Sequence, residues 1–127
     1  MTPLDAFDLP EWLGEGEVTW TSADVTRTGA SVAGCLVGAA DERHPCDLLA
    51  VDEAYPAPLV DERTRTAAHQ AWKHGQVLLL DRDGRTALAV PGTSFTADTV
   101  LDALTRLAKA VGASPSAYSV RLRLGGD

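Results

Sequence analysis

Residues 76–91 read QVLLLDRDGRTALAVP, two apolar runs separated by a polar segment that contains Asp83 and Gly84. Asp-Gly between apolar runs is typical of a two-residue type I′ turn, because both central residues of that turn need positive φ angles. We therefore predict a β-hairpin over these residues, and the remaining elements are assigned outward from it.

Three strands and a helix are predicted before the hairpin. Residues 18–25 alternate between apolar and polar side chains, and residues 31–37 form a second strand whose Ala33-Gly34 pair indicates a bulge or a close backbone contact. Residues 46–51 are apolar almost throughout, as in a strand buried on both faces. Asp61 is the predicted N-cap of a helix that ends near His74, with a glycine directly after it.

A second helix and a last strand are predicted after the hairpin. The helix lies within residues 94–112, where apolar residues recur at intervals of three and four, and Thr96 is its candidate N-cap. Residues 118–124 alternate between apolar and polar side chains, which indicates a strand with one solvated face. Residues 1–16 form an acidic N-terminal arm, interrupted by proline and glycine, with one helical turn near residues 10–13.

The predicted order of elements is arm-β-β-β-α-β-β-α-β, with residues 1–16 as the arm and residues 17–127 as a single domain. Runs of strands interrupted by two helices indicate the α+β class. We predict a mostly antiparallel β-sheet of five to six strands with two helices on one face. This order is similar to that of small bacterial domains related to type III secretion chaperones, a resemblance that implies a fold and no function.

Two segments also resemble known proteins in sequence. Residues 45–52 (PCDLLAVD) and 68–72 (AHQAW), together with the hairpin region 75–92, are similar to small proteins of unknown activity from high-GC actinobacteria. The chain has no Asn or Ile and only two Lys, which suits such an origin. The resemblance implies a source and adds no chemistry.

Composition and charge exclude several classes of function. The chain has 127 residues and a net charge of −7, whereas binding to nucleic acid or to an anionic membrane requires a basic surface. No apolar run approaches the roughly 20 residues that span a bilayer, and no basic leader segment begins the chain. We therefore expect a cytoplasmic protein. Its two Cys and three His lack the spacing of a metal site, so we predict no metal and no cofactor.

One candidate site is an acidic cluster near the end of the apolar strand. Asp47 lies within that strand, and Asp52 and Glu53 follow it. His69 or Arg63 of the next helix could approach Asp52, and a partly buried carboxylate beside a histidine is a candidate for acid–base chemistry. These residues support the alternative hypothesis of a small enzyme or a ligand-binding domain.

The other candidate sites are surfaces that would bind a protein. Phe7, Trp12 and Leu13 give the arm an apolar side, which would dock either onto a partner or onto this domain's own core. Arg121 and Arg123 share one face of the last strand. Because folding alone accounts for most of the polar residues, our leading hypothesis is a non-enzymatic accessory or interaction protein, chaperone-like in type, whose partner is another protein or a second copy of itself.

Overall fold

The centre of the fold is an eight-stranded mixed β-sheet, seen in a computed structural model that describes residues 2–22, 31–52 and 60–121. The strands of this part of the chain are β1 (Thr2–Pro3), β2 (Val18–Ser22), β3 (Ser31–Val32), β4 (Gly34–Gly38), β5 (Arg43–Ala50), β6 (Leu78–Arg82), β7 (Arg85–Val90) and β8 (Tyr118–Arg121). Its two α-helices are α1 (Glu62–Lys73) and α2 (Ala97–Ala110). The sheet order is β1-β6-β7-β5-β4-β2-β8, and β3 pairs with β5.

The hairpin prediction is confirmed. Arg82 of β6 pairs with Arg85 of β7, so the turn contains only Asp83 and Gly84, with φ angles of 54° and 80°. These positive angles are those of a type I′ turn, in which glycine and aspartate are favoured. The arm adds β1 to the outer edge of β6, an antiparallel pair that the sequence analysis did not include.

The prediction of a mostly antiparallel sheet of five to six strands is wrong. The described residues form eight strands, and two of the pairings are parallel: β5 with β7, and β2 with β8. β5 and β7 are parallel because the chain forms α1 and then β6, which is antiparallel to β7, before it reaches β7. A helical crossover through α2 then leads from β7 to β8, which is parallel to β2. The chain runs from β7 through α2 to β8, which lies beyond β2 at the far edge.

The two helices lie on opposite faces of the sheet, which corrects the prediction that they share one face. Leu48 of β5 packs in the cluster that contains the buried residues of α2, and its neighbour Leu49 packs in the cluster that contains Ala68 of α1. The same division separates Leu88 from Ala89 in β7. Successive side chains of a strand point to opposite faces, so α1 covers one face and α2 the other.

Both helices begin and end where the sequence predicts. Asp61 caps α1 by accepting a hydrogen bond from the Thr64 backbone N–H, and Thr96 caps α2 in the same way. The two helices are joined by Arg106 of α2, which donates to the carbonyl oxygens of Trp72 (2.7 Å) and Gln76 (2.9 Å). Its guanidinium also stacks 3.7 Å from the centroid of the Trp72 ring.

The close backbone contact predicted at Gly34 is present. The indole of Trp20, which is fully buried, lies directly over Gly34, and its Nε1 donates to the Cys46 carbonyl at 2.8 Å. The Gly34 N–H donates instead to Oδ1 of Asp47, at 3.2 Å. A side-chain carboxylate and an indole thus take the place of ladder hydrogen bonds at the centre of the sheet.

Candidate functional site

The carboxyl ends of β5 and β7 meet at one edge of the sheet, because these two strands are parallel neighbours. The chain that leaves β5 continues to α1 on one face, and the chain that leaves β7 continues to α2 on the other face. Residues 53–59, which follow this end of β5, lie outside the described residues, so the edge is described from Asp52, the loop after β7 and α1.

Asp52 lies at this edge of the sheet, where it contacts both α1 and the loop after β7. Its Oδ2 accepts a hydrogen bond from the Gly92 N–H at 2.8 Å, and its own N–H donates to the Gly92 carbonyl at 2.8 Å. Its Oδ1 lies 2.8 Å from Nε2 of His69 on α1. Gly92 has a φ of 121°, a backbone conformation that side chains disfavour, so glycine suits the position.

The hydrogen bonds and charges around Asp52 keep its carboxyl ionised. Partial burial raises the pKa of its carboxyl, but the hydrogen bonds from His69 and from the Gly92 N–H outweigh burial and lower that pKa below its usual value. The positive charge of Arg65 contributes in the same direction. Because an ionised carboxylate only accepts hydrogen bonds, the network assigns the hydrogen of the His69 ring to Nε2.

The structure brings together only part of the predicted acidic cluster. Asp52 and His69 are in contact, whereas Glu53 lies outside the described residues. Asp47 lies five residues earlier on β5, where it is buried and forms a two-point ion pair with Arg85 at 3.0 Å (Nε) and 2.8 Å (NH2). Asp47 is therefore part of the scaffold, where it joins Arg85 and the Gly34 N–H.

Gly92 and Arg65, which both act on Asp52, were not among the predicted site residues. The sequence analysis named Arg63 of the same helix and not Arg65. The spacing of four between Arg65 and His69 was the available signal, because residues four apart share a helix face. Within the described ranges, no three His, Cys, Asp or Glu residues are grouped so as to hold a metal ion.

The arm presents Phe7 to solvent in a fixed conformation. Phe7 is 95% exposed, the highest value among the large apolar side chains of the described chain. It sits in a short 3₁₀ turn (Ala6–Asp8) closed by a capping box, in which the Asp5 side chain accepts from the Phe7 N–H at 3.1 Å and Asp8 accepts from the Asp5 N–H at 3.2 Å. The Leu4 N–H, bonded to the Leu79 carbonyl at 2.8 Å, fixes the preceding chain to the sheet.

An open acidic groove runs beside Phe7. Its volume is about 690 Å³, and its walls are the arm and the C-terminal end of α2 at residues 110–112. The carboxylates of Asp5, Glu11 and Glu15 line it, and the described lining residues include no Lys or Arg. The carboxyl end of a helix carries partial negative charge, so both walls make the groove electronegative.

The other two arm residues pack onto the domain. Leu13 is fully buried, and its carbonyl accepts a hydrogen bond from the Tyr118 hydroxyl at 2.7 Å. Trp12 is half-buried and lies against Gly38. Of the three apolar residues predicted to contact a partner, only Phe7 is free to do so, because Leu13 and most of Trp12 stabilise this domain.

Arg121 ends β8 at the edge of the sheet and is exposed, and Arg123 lies outside the described residues. Arg121 borders a hollow of about 600 Å³ on the face of the sheet away from α2. Its other lining residues are Thr19, Thr21, Cys35, Val37 and Arg43. The described lining residues of this hollow include no carboxylate and no aromatic ring. The charged side chains that line this hollow are therefore both guanidinium groups, those of Arg43 and Arg121.

No family model, no curated protein and no solved structure matches this chain. In the parts of the chain that the structure describes, no helix combines the length and the apolar character needed to cross a membrane.

Proposed function

We propose that the protein is a non-enzymatic cytoplasmic interaction protein that binds a partner protein through its N-terminal arm, with Phe7 as the anchor. The observation that carries the proposal is the 95% exposure of Phe7 on a turn whose backbone is fixed by side-chain hydrogen bonds. Large aromatic side chains are frequent among the residues that dominate binding energy at interfaces.

The fixed turn favours binding. Burying a Phe side chain contributes about 1.5–3 kcal/mol. Ordering a flexible segment would consume part of that energy, and the capping box together with the β1–β6 pairing means that this ordering already exists in the free protein. Phe7 can therefore enter an apolar socket with little loss of backbone entropy.

The charge beside Phe7 defines the chemistry of the partner. Asp5, Glu11 and Glu15 and the carboxyl end of α2 make the groove electronegative, and charge complementarity governs both orientation and association rate. The partner surface is accordingly an apolar socket for Phe7 flanked by Lys or Arg side chains that enter the groove.

The test is affinity capture from extract of the native cells, comparing wild-type protein with Phe7→Ala and with the double substitution Glu11→Lys, Glu15→Lys. Leu101→Ala is the matched control, because Leu101 is the other large apolar side chain exposed in the described chain, at 50%. We expect one protein to be captured by wild type and by Leu101→Ala, and to be lost with the other two variants.

The affinity of the purified partner for each variant then gives the contribution of Phe7 to the binding free energy. Removing an aromatic anchor costs about 2 kcal/mol or more, so Phe7→Ala should weaken binding roughly 30-fold in calorimetry. Higher salt should weaken it further, because the groove acts by charge. Sedimentation of the protein alone shows whether the partner is a second copy. A captured set that is unchanged by both arm variants would overturn the proposal.

A further inference from the structure

The face of the sheet that points away from α2 is covered over only part of its width. Within the described chain, the buried cluster beneath α1 contains residues of β5, β6 and β7 and none of β2, β4 or β8. Alternate side chains of β2 and β4 are therefore partly exposed on this face, where they form the floor of the hollow beside Arg121. The volume of that hollow, about 600 Å³, is in the range of pockets that hold small molecules.

The two arginines of the hollow stand on opposite sides of its floor. The strand register pairs Arg43 of β5 with Val37, and it pairs Arg121 of β8 with Thr21. The strand order β5-β4-β2-β8 puts three strand spacings, about 14 Å, between the two arginine-bearing strands. Both guanidinium groups line the same hollow, so they approach it from its two sides.

The charge of the hollow is opposite to that of the chain, whose net charge is −7. Arg121 forms no ion pair with a described residue, and the described lining residues include no carboxylate. The NH2 group of Arg43 lies 3.3 Å from Oδ1 of Asp41, but these side chains are 66% and 78% exposed, and exposed pairs are weak. Because a guanidinium has five N–H donors, Arg43 can bind a second carboxylate beside Asp41.

The floor between the arginines is less polar than its two sides. The side chains of Val37 and Cys35 come from β4, and those of Thr19 and Thr21 come from β2. The Thr19 hydroxyl is already bonded to that of Ser119 at 2.9 Å, whereas the Thr21 hydroxyl has no hydrogen bond to a described residue. A ligand that fits this surface carries an anionic group at each end and a short carbon chain between them.

We propose that the hollow binds a small dicarboxylate, with one carboxylate on Arg43 and the other on Arg121. Its carbon chain lies across Val37 and Cys35. Arginine suits this task because its planar guanidinium can bind a carboxylate through two parallel hydrogen bonds. The hollow shares no described lining residue with the groove beside Phe7, so its test is independent of the interaction proposed above.

The test compares adipate with its monomethyl ester, which has the same carbon chain between its two ends and only one negative charge. The readout is the rate at which iodoacetamide, an uncharged reagent, alkylates the Cys35 thiol in the floor. Cys46 is fully buried, so the folded protein reacts at Cys35, which peptide mass spectrometry verifies. At constant ionic strength, we expect saturable protection, with half-protection at about five-fold less adipate than ester, the upper range for one exposed ion pair.

Four variants assign the effect to the two guanidinium groups. Arg43→Gln and Arg121→Gln should each remove the preference for adipate, since each leaves one carboxylate without its partner. Arg63→Gln is the matched control, because it removes the same charge from an exposed position on α1 that does not line the hollow. Asp41→Asn frees Arg43 from its ion pair and should tighten adipate binding about two-fold, and Asn tolerates the φ of 64° at that position.

Circular dichroism verifies that each variant is folded. If an arginine variant fails to fold, the comparison of adipate with its ester in wild type decides, because it needs no substitution. Equal protection of Cys35 by the two ligands in wild type would overturn the proposal, as would a preference for adipate that persists in both Arg43→Gln and Arg121→Gln.

Discussion

Replacing Gly34 by alanine tests the contact between β4 and the indole of Trp20. A Cβ atom at position 34 would overlap Cζ2 and Cε2 of the ring and lie 2.5 Å from Nε1, whereas non-bonded heavy atoms are normally about 3.5 Å apart. Trp20 is fully buried, so the ring can move only by disturbing the core and its hydrogen bond to the Cys46 carbonyl.

The expected cost is the sum of two effects. Overpacking a core costs about 1–3 kcal/mol, and leaving a buried polar group unpaired costs about 1–3 kcal/mol more. We therefore expect Gly34→Ala to lower the free energy of unfolding by about 4 kcal/mol, measured by urea denaturation followed by circular dichroism. That is a large share of the stability of a typical domain.

A double-mutant cycle isolates the cause. Phenylalanine at position 20 is smaller than the indole and has no N–H, so Trp20→Phe leaves room for the added methyl group. In that background Gly34→Ala should cost at least about 1.5 kcal/mol less than in wild type. An identical cost in both backgrounds would refute the steric origin and would point instead to the backbone of β4.

Three other substitutions test the scaffold. Arg106→Ala removes a guanidinium that lies 2.7 Å from the Trp72 carbonyl and stacks on the Trp72 ring, so the free energy of unfolding in urea should fall by about 3 kcal/mol. Arg106→Lys should restore less than half of that loss. Burial lowers the pKa of His44 below 6.5, so the contribution of neutral His44 to stability is fully present above about pH 6.5 and is lost as the pH falls. In melts at a series of pH values, His44→Gln should show a smaller loss of stability at low pH than wild type. Asp47→Asn leaves Arg85 without its anionic partner and should cost about 2 kcal/mol by the same denaturation assay.

Local elements of this fold were predictable because each depends on residues close in sequence. The type I′ hairpin follows from Asp83-Gly84, and the caps Asp61 and Thr96 act within one turn of their helices. The pairing of β8 with β2 joins residues about 100 positions apart, and alternation of apolar residues shows burial without naming the neighbour. The apolar run at residues 46–51 did indicate that the helices lie on opposite faces, because a strand that is apolar at successive positions must be covered on both sides.

The same distinction applies to the functional residues. The sequence analysis named His69 as one of two residues that could approach Asp52, because a helix that follows a strand packs back onto the sheet. The geometry of this pair also depends on the Gly92 N–H, which belongs to the loop after β7, 40 residues later. Phe7 is 95% exposed and Leu13 is 0% exposed, a difference that depends on how the arm packs against the domain. Apolar character alone does not distinguish an anchor from a core residue.

The pairing of β1 with β6 affects the tendency of this protein to aggregate. Thr2 and Pro3 pair with Asp81 and Leu80 on the outer side of β6, so these two residues cover backbone groups with which another extended chain could pair. Proteolytic removal of residues 2–3 would expose the backbone N–H and C=O groups on the outer side of β6, with which a strand of another molecule could then pair. Early aggregation, and not loss of helix or hairpin, is the failure we expect to see first in a trimmed sample.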